Sequence, residues 1–295
     1  MNARRKKGIN PLVLIFIIAL VAVCVTLVVL LALGYRYKST DKGYTFFGKV
    51  QSGQPVTGTI KLPGGVTAEL DYMNRTITYS NGDVYTGDIK DIYRHGTGKM
   101  VFATTGDVYE GAFVDDELTG YGTYTYENGD SYVGYLSGGS KEGTGTYTWA
   151  SGARYEGAFK NGLANGLGVF VWSDNSRYEG SFKDGAKDGQ GKFFFSNGDF
   201  YEGQFAADRR EGEGYYKWNN GETYTGTFHA NSMDTRLLDE NGNFIADGNG
   251  WKHGEKAVYT WPDGRTYTGY FESGRIVVVD DTVPPDVSDP ADGNA

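Results

Sequence analysis

The chain has 295 residues, enough for one or two ordinary domains, with 45 glycines, 23 tyrosines, one cysteine and a net charge of −9. A single cysteine excludes an intrachain disulfide and a cysteine metal cluster. The first ten residues carry Arg4, Arg5, Lys6 and Lys7 and no acid, so removing those four positive charges leaves −13 on the rest; an acidic body is a poor ligand for nucleic acid, whose affinity comes largely from neutralising phosphates.

Residues 1–10 read as a basic cytoplasmic N-terminus. Residues 11–33, PLVLIFIIALVAVCVTLVVLLAL, carry no charge. At about 1.5 Å per residue they span a hydrocarbon core of roughly 30 Å, so a transmembrane helix is expected. Four basic residues precede it, and Arg36, Lys38 and Lys42, partly offset by Asp41, follow it. The positive-inside rule then places the N-terminus in the cytoplasm and the remainder outside, in a single-pass cell-membrane protein. The apolar run is too long for a cleaved signal peptide, whose core is about 7–15 residues. Cys24 reads as a membrane-buried side chain.

Residues 34–43 read as a juxtamembrane linker. Residues 44–80 hold Phe47-Gly48, Gly53, Gly58 and Pro63-Gly64-Gly65 without a fixed period, and read as a degenerate capping repeat. A repeat array is expected over 81–279. Tyr85-Thr86-Gly87 opens it. From Tyr109 the pair Tyr-x-Gly returns at a constant spacing: Tyr109 with Gly111, Tyr132 with Gly134, Tyr155 with Gly157, Tyr178 with Gly180, Tyr201 with Gly203 and Tyr224 with Gly226. A Gly-x-Gly pair follows each of the first five, from Gly120 and Gly122 to Gly212 and Gly214. The next anchor after Tyr224 is Tyr267 with Gly269. The excess spacing marks an insertion at about 230–252, with Leu237, Leu238, Phe244 and Ile245, that extends a hairpin or forms a separate lobe. The tail, 280–295, is rich in Asp and Pro and reads as disordered.

Within one repeat, Tyr201, Gly203 and Phe205 alternate with polar neighbours, and so do Gly212, Gly214, Tyr216 and Trp218. Two period-2 stretches joined by a polar connection predict a hairpin. At Asn220-Gly221 a two-residue loop would put Tyr224 on the face opposite Trp218. A three-residue loop with Gly221 as a left-handed bulge instead pairs Tyr216 with Tyr224 and keeps the repeated aromatics together. The second is expected. Asn175, which stands where other repeats have glycine, tolerates the same backbone. Rings should then lie over glycine backbone on the neighbouring strand.

The consensus, Tyr-Glu-Gly-x-Phe-x-x-Gly-x-x-x-Gly-x-Gly-x-Tyr-x-Trp-x-x-Gly, resembles the MORN repeat (membrane occupation and recognition nexus), most clearly in Tyr155–Trp172 and Tyr178–Phe195. The resemblance covers about 82–271. It implies an all-β fold, an elongated single-layer antiparallel sheet of successive hairpins, here preceded by one transmembrane helix. It also implies scaffolding, protein–protein contact or self-association at membranes.

No catalytic residue, metal ligand or cofactor site is expected. His95, His229 and His253 sit at unrelated places in the period and read as surface or loop residues. Glu110, Glu156, Glu179 and Glu202 fall on the solvent face. Asn74-Arg75-Thr76 is a formal glycosylation sequon. The stripe Tyr126, Trp149, Trp172, Phe195, Trp218 and Trp261 is either array packing or an exposed binding groove. The expected function is a non-enzymatic membrane-anchored scaffold that binds protein partners or itself. The alternative is a module that binds envelope glycan or lipid headgroups through the aromatic groove.

Overall fold

The structure, a computed structural model, describes residues 10–247 and 250–277. The basic N-terminus and the acidic tail lie outside the described residues. The chain divides into two compact units, 1–119 and 120–295.

The first unit opens with helix α1 (Pro11–Ala32), 22 residues long. Asn10 caps it, accepting from the Leu12 N–H at 3.0 Å, and Pro11 occupies the first turn, where a missing N–H costs nothing. The other end is closed by the Arg36 guanidinium on the Leu31 carbonyl at 2.8 Å. The helix is apolar all round and, among the described residues, none buries it, the pattern of a helix whose cover comes from elsewhere. Its length, about 33 Å at 1.5 Å per residue, suits a bilayer.

Strands follow as consecutive antiparallel hairpins: β1 (Tyr35–Ser39), β2 (Thr45–Gln51), β3 (Gln54–Lys61), β4 (Thr67–Asp71), β5 (Thr76–Tyr79), β6 (Val84–Lys90), β7 (Tyr93–Val101), β8 (Val108–Val114) and β9 (Glu117–Thr125). The stretch expected as a linker, 34–43, instead contains β1, which pairs with β2. Tyr35 and Tyr37 alternate with Arg36 and Lys38, a strand pattern, and Tyr35 packs on Phe47 at 5.9 Å between ring centroids. In β2 and β3, Gly48 faces Gly58, and the Phe46 ring covers both.

The second unit continues with β10 (Ser131–Ser137), β11 (Ser140–Thr148), β12 (Arg154–Lys160), β13 (Leu163–Val171), β14 (Arg177–Lys183), β15 (Ala186–Phe194), β16 (Phe200–Ala206), β17 (Arg209–Lys217) and β18 (Thr223–His229). After the short β19 (Ser232–Met233), β20 (Ala246–Asp247) and β21 (Gly250–Trp251) come β22 (Ala257–Thr260), β23 (Thr266–Glu272) and β24 (Arg275–Val277). This too is an open antiparallel sheet of hairpins.

Two kinds of turn alternate. At one end the three-residue loop is found: Tyr216 faces Tyr224, Trp218 accepts from the Gly221 N–H at 3.0 Å, and Gly221 has φ +96°. Asn175 takes the same conformation at φ +67°. The other end uses two-residue turns with both central residues left-handed, as at Asn161-Gly162 and Ala207-Asp208. These are the mirror-image turns that match strand twist.

The hairpins β6–β7, β10–β11, β12–β13, β14–β15 and β16–β17 each carry a bulge. Pairing of β12 with β13 slips between Gly157 and Phe159, so Ala158 leaves the ladder. A carbonyl freed this way needs a donor. The Tyr155 hydroxyl supplies it, donating to the Ala158 carbonyl at 2.9 Å. Tyr132, Tyr178, Tyr201 and Tyr224 repeat the bond to the residue three further on at 2.8–3.0 Å. To reach that carbonyl the ring lies along its own strand, over Gly157 and the facing Gly168. The sheet thus forms its own core: Tyr132, Tyr155, Tyr178, Tyr201 and Tyr224 are buried on glycine backbone.

The anchor glycines meet glycine across the ladder. Gly111 faces Gly98, Gly134 faces Gly122 and Gly145, Gly180 faces Gly168 and Gly191, and Gly203 faces Gly191 and Gly214. The last two anchors differ. Gly226 faces Gly214 on one side but meets Ala257 on the other, and Gly269 faces the same Ala257. Strand β22 supplies an alanine where the earlier repeats have glycine, so the methyl of Ala257 fills space that is bare backbone elsewhere. The Tyr267 ring still covers Gly269, and its hydroxyl donates to the Val277 carbonyl on β24 at 2.8 Å.

The insertion leaves the sheet rather than lengthening a strand. β18 pairs directly with β22, Tyr224 opposite Tyr259, while β20 and β21 form their own two-stranded piece. A buried ion pair between Asp234 and Arg236 anchors it, with Asp234 also accepting from the Ser273 N–H at 3.0 Å.

Candidate functional site: an aromatic ladder on the sheet

In the second unit the sheet presents one aromatic face, arranged as two rows. The inner row alternates repeat tyrosine and repeat phenylalanine edge to face: Tyr155 meets Phe159 and Phe182, and Tyr178 meets Phe182 and Phe205, all at 5.0–5.1 Å. These rings are buried.

The outer row is continuous. It runs Tyr124, Tyr126, Tyr147, Trp149, Phe170, Trp172, Phe193, Phe195, Tyr216, Trp218, Tyr259, Trp261, with successive centroids 4.3–5.8 Å apart. Steps within a strand, such as Phe170 to Trp172 at 4.3 Å, alternate with steps between repeats, such as Trp149 to Phe170 at 5.0 Å. The insertion does not break the row, because β22 takes the place next to β18 and brings Tyr259 to 5.6 Å from Trp218. Tyr126, Trp149, Trp172, Phe195, Trp218 and Trp261 therefore share one line, each half-buried just before a three-residue turn. The half-burial leaves ring area on the surface.

Cations lie over this face, and sequence reasoning missed them. Register places Lys141 opposite Leu136, Lys187 opposite Phe182 and Arg210 opposite Phe205. Lys141 sits 4.7 Å from the Tyr147 centroid, Lys187 5.1 Å from Phe193 and 5.4 Å from Trp172, and Arg210 5.1 Å from Tyr216. Each is held by ring electrons as well as by burial of its stem. Burial lowers the affinity of all three for their protons. The available signal was positional: each stands two residues before a Gly-x-Gly, on the aromatic side of the alternation. A cleft of about 280 Å³ lies beside the first of them, lined by Tyr124, Tyr126, Tyr132, Leu136 and Lys141 among others.

The opposite face mixes ion pairs with apolar side chains, Phe194 packing on Phe200 at 5.1 Å. Arg177 pairs with Glu179 at 2.6 Å, and Lys192 with Glu202 at 3.1 Å. Exposed pairs of this kind contribute little to stability.

The histidines are not loose surface residues. His95 lies beside Asp115 at 3.1 Å. His229 joins Glu211 at 2.7 Å to the Arg236 carbonyl at 2.9 Å, tying the array to the insertion. His253 bridges Thr235 at 2.8 Å and Glu272 at 3.2 Å. A hydroxyl, an imidazole and a carboxylate in line resemble a nucleophile relay. Here Thr235 is 2% exposed and its oxygen is held between the backbone N–H and carbonyl of Phe271. That geometry clamps the insertion onto β23. Among the described residues, no group of three or more His, Cys, Asp or Glu is arranged to hold a metal ion.

Comparison with known proteins locates the family. The MORN repeat model matches residues 85–106, 109–131, 132–154, 155–177, 178–200, 201–223 and 249–264. No curated protein matches the chain. Among solved structures, the TCP10 domain of Danio rerio CPAP is 11% identical, covering 79% of this chain and 98% of that one at a TM-score of 0.32. The Drosophila melanogaster SAS-4 TCP domain, solved with a proline-rich motif of Ana2, is 11% identical, covering 80% and 90% at 0.26. A Staphylococcus aureus virginiamycin B lyase is 12% identical, covering 80% and 83% at 0.17. TM-scores this low establish neither a shared fold nor a shared role. The seven repeat matches span more than half of the sequence, on the strands whose tyrosines, glycines and turns have just been described, and the chain belongs to the MORN repeat family.

Proposed function

We propose that this protein is a non-enzymatic, single-pass membrane scaffold whose extracytoplasmic repeat array binds protein partners or itself. The observation that carries the reading is the outer aromatic row, unbroken from Tyr124 to Trp261 and half-exposed at every ring but Tyr216 and Tyr259, which are buried. Exposed aromatic surface of this extent marks interaction sites, and repeat arrays present it in extended form. The uncharged helix, left uncovered by the described residues, supports insertion in a bilayer. The charge bias around it supports the N-terminus in the cytoplasm. The degenerate hairpins of 44–80 then serve as the cap of the array.

Two measurements test this. A tag after Ala295 should be accessible on intact cells; a protected tag overturns the topology. Cross-linking and sedimentation of the full chain in detergent should show a defined self-assembly or a reproducible, identifiable protein partner. A monomer that cross-links to nothing in its native membrane would rule out the scaffold.

The tilted stacking of Trp149, Phe170 and Trp172 favours a second reading, a module for envelope glycan or lipid headgroup. The body charge of −13 disfavours anionic lipid. Pull-down with isolated envelope polymer decides, and Trp172→Ala with Trp218→Ala should abolish that binding if this reading is right.

A further inference from the structure

The cations of the aromatic face recur at one register position, and at one repeat that position holds only a methyl group. The residue opposite the repeat phenylalanine or its equivalent is Arg94, Lys141, Lys187 or Arg210 in four repeats, while Met233 opposite Phe228 and Ile276 opposite Phe271 fill it with larger apolar side chains. Between Lys141 and Lys187, Ala164 takes the place, opposite Phe159. Lys187 reaches Trp172, Tyr178, Phe193 and Phe205. The corresponding rings around Ala164 are Trp149, Tyr155, Phe170 and Phe182, and among the described residues no cation lies over any of them. Tyr155 and Phe182 are buried, but Trp149 and Phe170 are half-exposed.

We propose that the gap at Ala164 is a subsite for a lysine or arginine side chain of a protein partner. The inference rests on the scaffold reading and adds the chemistry of what docks. The array itself shows what this position accepts, since neighbouring repeats fill it with a cation at 4.7–5.9 Å from the rings. A cation–π contact is strongest where the ring is partly desolvated, as these rings are. Charge favours the same occupant. Glu142, which accepts from Asn161 N–H at 2.7 Å, and Asp184, bonded to Asn165 at 3.1 Å, lie at the same end of the hairpins. The body outside the first ten residues carries −13, which draws basic segments toward it.

The test uses the full chain in micelles with its five tryptophans labelled with nitrogen-15. The probe is N-acetyl-lysine N-methylamide, with the norleucine analogue as the uncharged control. The Trp149 indole resonance should shift and saturate, and the Trp172 resonance, already covered by Lys187, should not. Ala164→Arg should fill the gap from within and weaken the Trp149 response at least ten-fold. Lys187→Ala should open a second gap and make Trp172 respond, which keeps the test decisive should the Ala164 variant fold poorly. No saturable shift at Trp149, an equal shift with norleucine, or an unchanged response in Ala164→Arg overturns the proposal. Cross-linking of the wild-type chain reports separately on the scaffold reading. Partner capture that persists without any lysine response at Trp149 defeats the subsite alone. A Trp149 response in a chain that captures nothing defeats the scaffold.

Discussion

The hydroxyl of Tyr216 donates to Oδ2 of Asp199 at 2.7 Å, while Oδ1 of the same carboxylate accepts from the Asn219 N–H at 2.9 Å. One side chain thus fastens the turn of one repeat to the strand and turn of the next. Asp130 does the same for Tyr147 and Ala150, at 2.7 and 2.8 Å. Where the facing aromatic has no hydroxyl, the acid is gone: Ala153 precedes Phe170, and Ser176, turned to Asp174 at 2.6 Å, precedes Phe193. Two alternative couplings, acid with tyrosine and small residue with phenylalanine, join neighbouring repeats.

Tyr216→Phe should therefore destabilise the array by about 1 kcal/mol, because it removes the shorter of two hydrogen bonds to Oδ2 of a mostly buried carboxylate and leaves only the Asn197 amide at 3.0 Å. Adding Asp199→Ala should recover part of that loss, since the pair then copies Ala153 with Phe170. A double-mutant cycle on denaturation midpoints measures the coupling. Purely additive losses would mean that the two residues act independently.

Gly168→Ala should cost about 1–3 kcal/mol, as an added methyl would lie 2.5 Å from the Tyr155 hydroxyl oxygen. Tyr155→Phe should cost about 1 kcal/mol through the lost bond to the Ala158 carbonyl. The combination with Gly168→Ala should cost close to the sum, because the methyl also meets the ring carbons Cε2 at 2.6 Å and Cζ at 2.7 Å, which phenylalanine keeps. Thermal melts of the single and double variants check this.

Alkaline pH should unfold the array cooperatively. Burial raises the tyrosine hydroxyls of Tyr132, Tyr155 and Tyr178 from 10.0 to about 12. Below pH 10 these groups are protonated folded and unfolded, and their contribution is intact. From pH 10 upward the unfolded chain ionises first, so stability falls with rising pH until the folded hydroxyls ionise near 12. Tyrosinate absorbance and circular dichroism should change together. Ionisation near pH 10 with unchanged circular dichroism would contradict the buried hydroxyl bonds.

The insertion should be separable from the array. Arg236→Ala leaves the Asp234 carboxylate, 2% exposed, without its partner. Loss of one member of a buried pair is strongly destabilising, by about 3–5 kcal/mol locally. Because β18 pairs with β22 independently of this segment, protease should cut within 234–252 much faster while the rest of the array melts near its original temperature. His229→Ala should act in the same direction, less strongly, by removing the link between Glu211 and the Arg236 carbonyl. A uniform drop in melting temperature with no new cleavage would show that the insertion belongs to the sheet.

Much of the fold was legible in the residues taken alone. The period of Tyr-x-Gly, the alternation on either side of it, and the need to keep Tyr216, Trp218 and Tyr224 on one face were enough to choose the three-residue loop and its register. Those are local properties, because strand alternation and left-handed turn residues depend only on neighbours in the chain. The uncharged helix was legible for the same reason. Strand β1 was misjudged because a five-residue strand of mixed tyrosine and base signals weakly until β2 is there to pair with it.

What only the tertiary structure decided are the relations between repeats. Why the anchor is tyrosine and not phenylalanine depends on a bulged carbonyl three residues on, and the bulge exists only once two strands are in register. That Gly226 and Gly269 meet Ala257 and not a second glycine follows from which strand takes the place beside β18. The same choice of neighbour keeps the aromatic row unbroken across the insertion. The cations over the rings, and the gap at Ala164, become visible only when a position two residues before Gly-x-Gly is seen to face aromatic groups from its own repeat and its neighbours. Sequence carries what each residue does to its own strand. The packing of one hairpin on the next, where side chains distant in the chain come within 6 Å of each other, decides which of those residues cover the face and where it stays open.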